Sequence, residues 1–202
     1  VHDFCPLGAT MALPATCLPG TFLPPLQQRF SGQEDCEPCP DGSACVGGAT
    51  AAAQCEPGTF STGGAKSCSG CDGGTFQGDA NSTFCNACLP GHFCPARASV
   101  ALPCPSGSYT NQTNLKSTDQ CTPCNEGSFC VAGSTAPAAC SAGMYANGTG
   151  NELCSSCPEG TYQDLESATA CITCDPGFFC PRGSSAQLPA SCLPGTHLPS
   201  GR

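Results

Sequence analysis

Six pairs of cysteines stand two residues apart: Cys36 and Cys39, Cys68 and Cys71, Cys85 and Cys88, Cys121 and Cys124, Cys154 and Cys157, and Cys171 and Cys174. One such pair is half of a zinc site or a thiol–disulfide redox centre. The rest of the chain argues against both. His2, His92 and His197 have no ligand spacing between them, and a thioredoxin-type pair needs a surrounding βαβ pattern that is absent. The remaining chemistry is the structural disulfide, with each pair acting as a junction. The first cysteine closes one unit and the second opens the next.

Cysteine supplies 22 of the 202 residues, the density of a disulfide scaffold. Such bonds persist in oxidising compartments, so the expected location is extracellular or at the cell surface. Leu, Ile, Val and Phe together number 28, and there is no Trp. A chain so poor in core formers cannot bury one large core, and cross-links must stand in for burial.

No catalytic constellation is present: no G-x-S-x-G, no H-E-x-x-H and no phosphate-binding glycine loop. Asp72, Asp79, Glu152 and Asp164 would bind a cation only if the fold gathered them, and their plain role is as solvated acids. The expectation is no enzyme, no metal and no cofactor. The net charge is −9, and the six basic residues are scattered without a patch. This argues against nucleic acid and anionic membrane as partners. No apolar run reaches 18 residues, so no membrane contact is expected within this segment.

Three sequons occur, at Asn81-Ser82-Thr83, Asn111-Gln112-Thr113 and Asn147-Gly148-Thr149. Each lies between an aromatic residue and the closing cysteine of a long unit, where an exposed loop carries a glycan without disturbing the scaffold. N-linked glycans are therefore expected, on at least two of the three.

The elements that position these groups follow a repeat. Cys-x-x-Gly occurs eleven times, opening at Cys17, Cys39, Cys55, Cys71, Cys88, Cys104, Cys124, Cys140, Cys157, Cys174 and Cys192. An aromatic follows at the fifth position in nine of them, with Ala44 and His197 the exceptions. A period this regular predicts an array of small modules. Pro-Gly at 19–20, 57–58, 90–91, 176–177 and 194–195 suits a type II turn. A short strand should follow, with the aromatic laid over the adjacent disulfide. Helix is not expected, because Gly, Pro, Ser and Thr interrupt every window. The nearest candidate, Gln163 to Glu166, is too short to stand alone. The fold class is thus tandem disulfide-rich modules of short β-hairpins and turns, almost without helix, forming an elongated rod on the order of 100 Å.

Long-loop units predict the bonds Cys17–Cys36, Cys55–Cys68, Cys71–Cys85, Cys104–Cys121, Cys140–Cys154 and Cys157–Cys171. In the chain-entropy model a loop of about 15 residues contributes roughly 3 kcal/mol. Short-loop units suggest Cys39–Cys45, Cys88–Cys94, Cys124–Cys130 and Cys174–Cys180. For these, overlapping pairings with the next unit stay open, since spacing does not fix connectivity. Cys5 and Cys192 lack partners in this scheme; their partners lie beyond the ends, or they pair as 5–17 and 180–192.

Units follow the order long, short, long, long, short, and then the order repeats. Cys17 aligns with Cys104 and Cys192, steps of 87 and 88 residues. The expected organisation is the end of a short unit in 1–16, a five-unit super-repeat in 17–103, a second in 104–191 and the start of another unit in 192–202. Val1 falls inside a motif, as in a chain whose leader was removed or one that is a piece of something longer.

The run Cys55-Glu-Pro-Gly-Thr-Phe60 through Cys68-Ser-Gly-Cys71 resembles the cysteine-rich repeats of ephrin-receptor type, near in style to epidermal-growth-factor and tumour-necrosis-factor-receptor repeats. Short units such as Cys174-Asp-Pro-Gly-Phe-Phe-Cys180 look like those of large surface proteins of protists and algae, where flagellar hairs (mastigonemes) and surface fibrils are the nearest analogy. The resemblance spans the chain from Phe4 onward. It implies an extracellular, non-catalytic array and carries over no ligand-binding residue. The strict super-period departs from typical receptors, whose repeats are fewer and less regular.

The expected function is therefore structural: part of a fibre, flagellar hair or cell-surface stalk. Modules that touch only neighbours stack in one dimension, and open head-to-tail contacts make filaments. The expected partners are other copies of the same chain, joined head-to-tail or laterally. The alternative is a ligand-binding receptor ectodomain, which needs a singular patch. Phe30 and Arg29, in the long loop Leu23 to Asp35, are the candidate interface pair. Loop packing is the plainer explanation of Phe30.

Overall fold

The computed structural model describes residues 16–26 and 30–189. Two compact units divide the chain: Val1–Leu102 with Gln112–Ser117, and Pro103–Asn111 with Thr118–Arg202. Both are built from two-stranded antiparallel hairpins whose strands are two residues long. Counted by opening cysteine from Cys17 to Cys174, these are modules 1 to 10.

In the first unit, Thr21–Phe22 pairs with Glu37–Pro38, Ser43–Ala44 with Ala53–Gln54, Thr59–Phe60 with Ser69–Gly70, and Thr75–Phe76 with Asn86–Ala87. A further hairpin pairs His92–Phe93 with Leu102–Pro103. The second unit pairs Ser108–Tyr109 with Thr122–Pro123, Ser128–Phe129 with Ala138–Ala139, Met144–Tyr145 with Ser155–Ser156, Thr161–Tyr162 with Ile172–Thr173, and Phe178–Phe179 with Leu188–Pro189.

The placement of these strands explains the cysteine spacing. The outgoing strand follows the turn glycine at once. In modules 1 to 9 the return strand is the two residues before the next opening cysteine, so in each Cys-x-x-Cys the two intervening residues are that strand. These return strands are largely exposed and are rich in Ser, Ala, Pro and Thr.

The turn that starts each hairpin is the expected one. In module 1 the Thr21 amide donates to the Leu18 carbonyl across Pro19 and Gly20, with Gly20 at φ 92. Module 3 repeats this from Thr59 to Glu56, with Gly58 at φ 82. A positive φ at the third turn position defines type II and selects glycine. The hydroxyls of Thr21, Thr59, Thr75, Ser108 and Thr161 donate to the same carbonyls and close the turns a second time.

Among the described residues helix is confined to two 3-10 turns, Gln33–Asp35 and Thr118–Gln120. Each stands just before the closing cysteine of a long loop, Cys36 or Cys121. The Asp35 carboxylate fixes the first by accepting from the Ser31 amide (2.6 Å), the Ser31 hydroxyl (2.7 Å) and the Gly32 amide (3.2 Å). Gln163 to Glu166 form no helix.

The core is mostly sulfur. Opening cysteines from Cys17 to Cys157 are buried, as are Cys45, Cys94, Cys130 and Cys180, while most closing cysteines of long loops are half-buried. Apolar packing is sparse. One cluster forms where Phe76 of module 4 packs on the Cys88–Cys94 disulfide and Ala98 of module 5. That is the expected aromatic on a disulfide, contributed across a module junction.

Candidate functional site

The feature that recurs most faithfully is the contact between consecutive modules, and it is made by main chain. Nine or ten residues after each opening cysteine from Cys39 to Cys174 stands a residue with left-handed backbone, and its amide donates to the carbonyl of the preceding module's opening cysteine. In the first unit these bonds are Gly48 to Cys17, Gly64 to Cys39, Asn81 to Cys55, Arg97 to Cys71 and Asn114 to Cys88, all between 2.7 and 3.0 Å. In the second they are Gly133 to Cys104, Gly150 to Cys124, Ser167 to Cys140 and Gly183 to Cys157, at 2.8 to 2.9 Å.

Two further bonds recur at these junctions. The turn glycine donates to the next module, as from Gly58 to Gln77 (2.7 Å) or Gly143 to Gln163 (2.7 Å). Its carbonyl accepts from the next opening cysteine, as from Cys71 to Gly58 or Cys157 to Gly143, both 2.9 Å. Main-chain donors and acceptors are obligatory hydrogen-bonding groups, so this ladder satisfies them while placing few demands on side chains.

Seven of the turn glycines are also hemmed in, whereas Gly160 and Gly177 face open space among the described residues. A Cβ built on Gly127 would collide with the Ser167 carbonyl, and one on Gly58 with that of Arg97. At those seven positions the glycine of Cys-x-x-Gly thus meets two needs: a positive φ in the turn, and room for a carbonyl two modules further on.

All twenty described cysteines are bonded. The pairs are Cys17–Cys36, Cys39–Cys45, Cys55–Cys68, Cys71–Cys85, Cys88–Cys94, Cys104–Cys121, Cys124–Cys130, Cys140–Cys154, Cys157–Cys171 and Cys174–Cys180. Within each Cys-x-x-Cys the two sulfurs enter different bonds. Cys17 and Cys180 are thereby engaged inside their own units. Cys5 and Cys192 lie outside the described residues, as do His2 and His197.

The three sequon asparagines are exposed. Asn81 has a second role, because it is the left-handed residue (φ 60) of its junction and its side-chain oxygen accepts from the Ser43 hydroxyl at 3.1 Å. Asn147 precedes Gly148, which has φ 74, on an exposed turn.

Phe30 is half-buried and lines a cavity of about 150 Å³ with Leu23, Ala49 and Cys17. Arg29 lies outside the described residues. Among the described residues no three His, Cys, Asp or Glu side chains come together in a metal-binding group, so Asp72, Asp79, Glu152 and Asp164 are not gathered. No helix there is long and apolar enough to cross a membrane.

Sequence reasoning missed the left-handed residues. The available signal was Gly or Asn nine or ten positions after the opening cysteine, which seven of the nine satisfy; Arg97 and Ser167 do not. It also missed Gln77 and Gln163, each directly after the aromatic and buried. The Gln77 amide donates to the Phe84 carbonyl (2.8 Å) and its oxygen accepts from the Asp79 amide (2.9 Å). Gln163 ties Ala170 and Leu165 in the same way (2.7 and 3.0 Å).

Two segments of the chain, 58–101 and 143–192, match a family model described as tyrosine-protein kinase ephrin type A/B receptor-like. No curated protein matches the chain. The matched segments cover modules of both units. With the ten disulfides they support cysteine-rich repeats similar to the ephrin-receptor-like type, and they suggest an extracellular or secreted location.

Proposed function

We propose that this chain is a structural extracellular glycoprotein, a stretch of repeat array that joins other copies of itself in a fibre, flagellar hair or cell-surface stalk. The observation that supports this reading is the module junction. In each unit the same amide-to-carbonyl bond recurs between neighbours, whatever the side chain of the donor: Gly, Asn, Arg or Ser. A contact built from main chain can be added again without a new complementary surface. Quasi-one-dimensional repeat proteins grow by this rule. Outward positions are then free to vary and to carry glycans at Asn81, Asn111 and Asn147.

The second reading, a ligand-binding receptor ectodomain, draws its support from the family match, whose description is that of a receptor. Electron microscopy of the native, unreduced secreted material separates the two. Filaments with an axial period of one or two super-repeats are the expected result. Discrete monomers or dimers at micromolar concentration would overturn the fibre reading and leave the receptor one.

A further inference from the structure

Within the second unit, modules 8, 9 and 10 line an open groove of about 730 Å³. Its walls include Tyr145, Ser155, Ser156, Glu159 and Arg182. None of these five side chains has a hydrogen-bond or ion-pair partner among the described residues. The volume falls in the range of small-molecule sites. A guanidinium and a carboxylate on the same groove, both unengaged, leave donors and acceptors for something else.

The first unit holds the counterpart of this groove, and there it is filled. Cys71 aligns with Cys157, so Gly70 aligns with Ser156 and the junction residue Arg97 with Gly183. The Arg97 stem lies across Gly70: a Cβ built on Gly70 would sit 2.6 Å from Arg97 Cγ and 3.3 Å from its Cδ. In the second unit the same junction position is a glycine with φ 78, so no side chain enters. One super-repeat closes the groove with its own arginine and the other leaves it open.

We infer that the open groove binds a saccharide bearing one acidic group. Arg182 offers planar donors suited to a carboxylate or sulfate. Ser155, Ser156 and the Tyr145 hydroxyl donate and accept, and Glu159 accepts, which together suit a ring of hydroxyls. The half-buried Tyr145 ring gives an apolar face for the C–H side of a sugar. Glu159 disfavours a bare anion, because a second negative charge on the groove opposes one that brings no hydroxyl donors. The site stands apart from the fibre reading: filaments that bind no sugar, or discrete particles that do, would each decide one question alone.

The test is calorimetric titration of the disulfide-intact secreted chain. The four probes are a glucuronic-acid disaccharide, a sulfated disaccharide without uronate, a neutral disaccharide and inorganic sulfate. At least one acidic disaccharide should bind about tenfold or more tightly than the neutral one and than sulfate; which one binds identifies the acid. Arg182→Gln should remove that preference. Gly183→Arg, which restores the filled groove of the first unit, should abolish binding, and unchanged disulfide masses and amide exchange outside module 10 show that each variant is folded. Sulfate binding as tightly as the sugars, acidic-sugar affinity unmoved by both substitutions, or no binding of any probe would each overturn the inference.

Discussion

Gly127 and Ser167 illustrate how much of this protein is decided by single backbone positions. Gly127 sits at φ 72 with the Ser167 carbonyl where its Cβ would be, while Ser167 is itself left-handed at φ 57. A left-handed L-residue costs about 1–2 kcal/mol. Gly127→Ala should therefore lose at least that, plus the collision with the carbonyl. The measurement is amide exchange: the Ser167 and Cys140 amides, which bond across this junction, should exchange at least about tenfold faster. Ser167→Gly should act the other way, slowing exchange of residue 167 by about fivefold as about 1 kcal/mol of strain is relieved. At the glycan positions, mass spectrometry of glycopeptides should find sugar on at least two of Asn81, Asn111 and Asn147.

At the scale of the element, each hairpin is too short to hold itself. An isolated two-stranded hairpin is marginal in water, and here each strand has only two residues. Stability comes from the disulfide at the hairpin's base, from the neighbour's main chain, and from buried tethers inside the loops. Gln77 is the clearest tether, at 3 % exposure with both ends of its amide engaged. Gln77→Ala should strand the Phe84 carbonyl and the Asp79 amide, at a cost of about 1–3 kcal/mol. Limited proteolysis should then cut first between residues 79 and 84. Replacing Cys88 and Cys94 together by serine removes the platform under Phe76. The loss should be about 2–5 kcal/mol and concentrated in modules 4 and 5. Faster exchange in those modules with modules 1 and 2 unchanged is the expected pattern; collapse of the entire first unit would contradict neighbour-limited stability.

At the scale of the whole molecule, cross-links replace a core. Fourteen of the twenty described cysteines are buried, and they make up most of the buried hydrophobic side chains. Large apolar side chains such as Leu26, Val46, Leu153 and Leu165 are left exposed. Full reduction should therefore abolish the fold rather than soften it, because the apolar residues cannot offset chain entropy alone. Circular dichroism and amide exchange of the reduced, alkylated chain should show an unfolded polypeptide under conditions where the oxidised one is protected. Retained protection after complete alkylation would point to a core that these residues do not provide.

Cysteine spacing and the Cys-x-x-Gly period by themselves determined the module type, the turn at its head and the near absence of helix. These are local consequences of residue type: a Pro-Gly turn, an aromatic beside a cysteine, and loops too rich in Gly, Ser and Thr to coil. Only the tertiary structure decided how one module grips the next. That grip is a main-chain amide meeting a main-chain carbonyl, and every residue except proline carries both, so sequence leaves little mark there beyond a weak preference for Gly or Asn. The same holds for the open groove. Its difference from the filled counterpart turns on Arg97 against Gly183, two residues whose contrast means nothing until the fold lays an arginine stem across Gly70 in one copy and leaves Ser156 uncovered in the other.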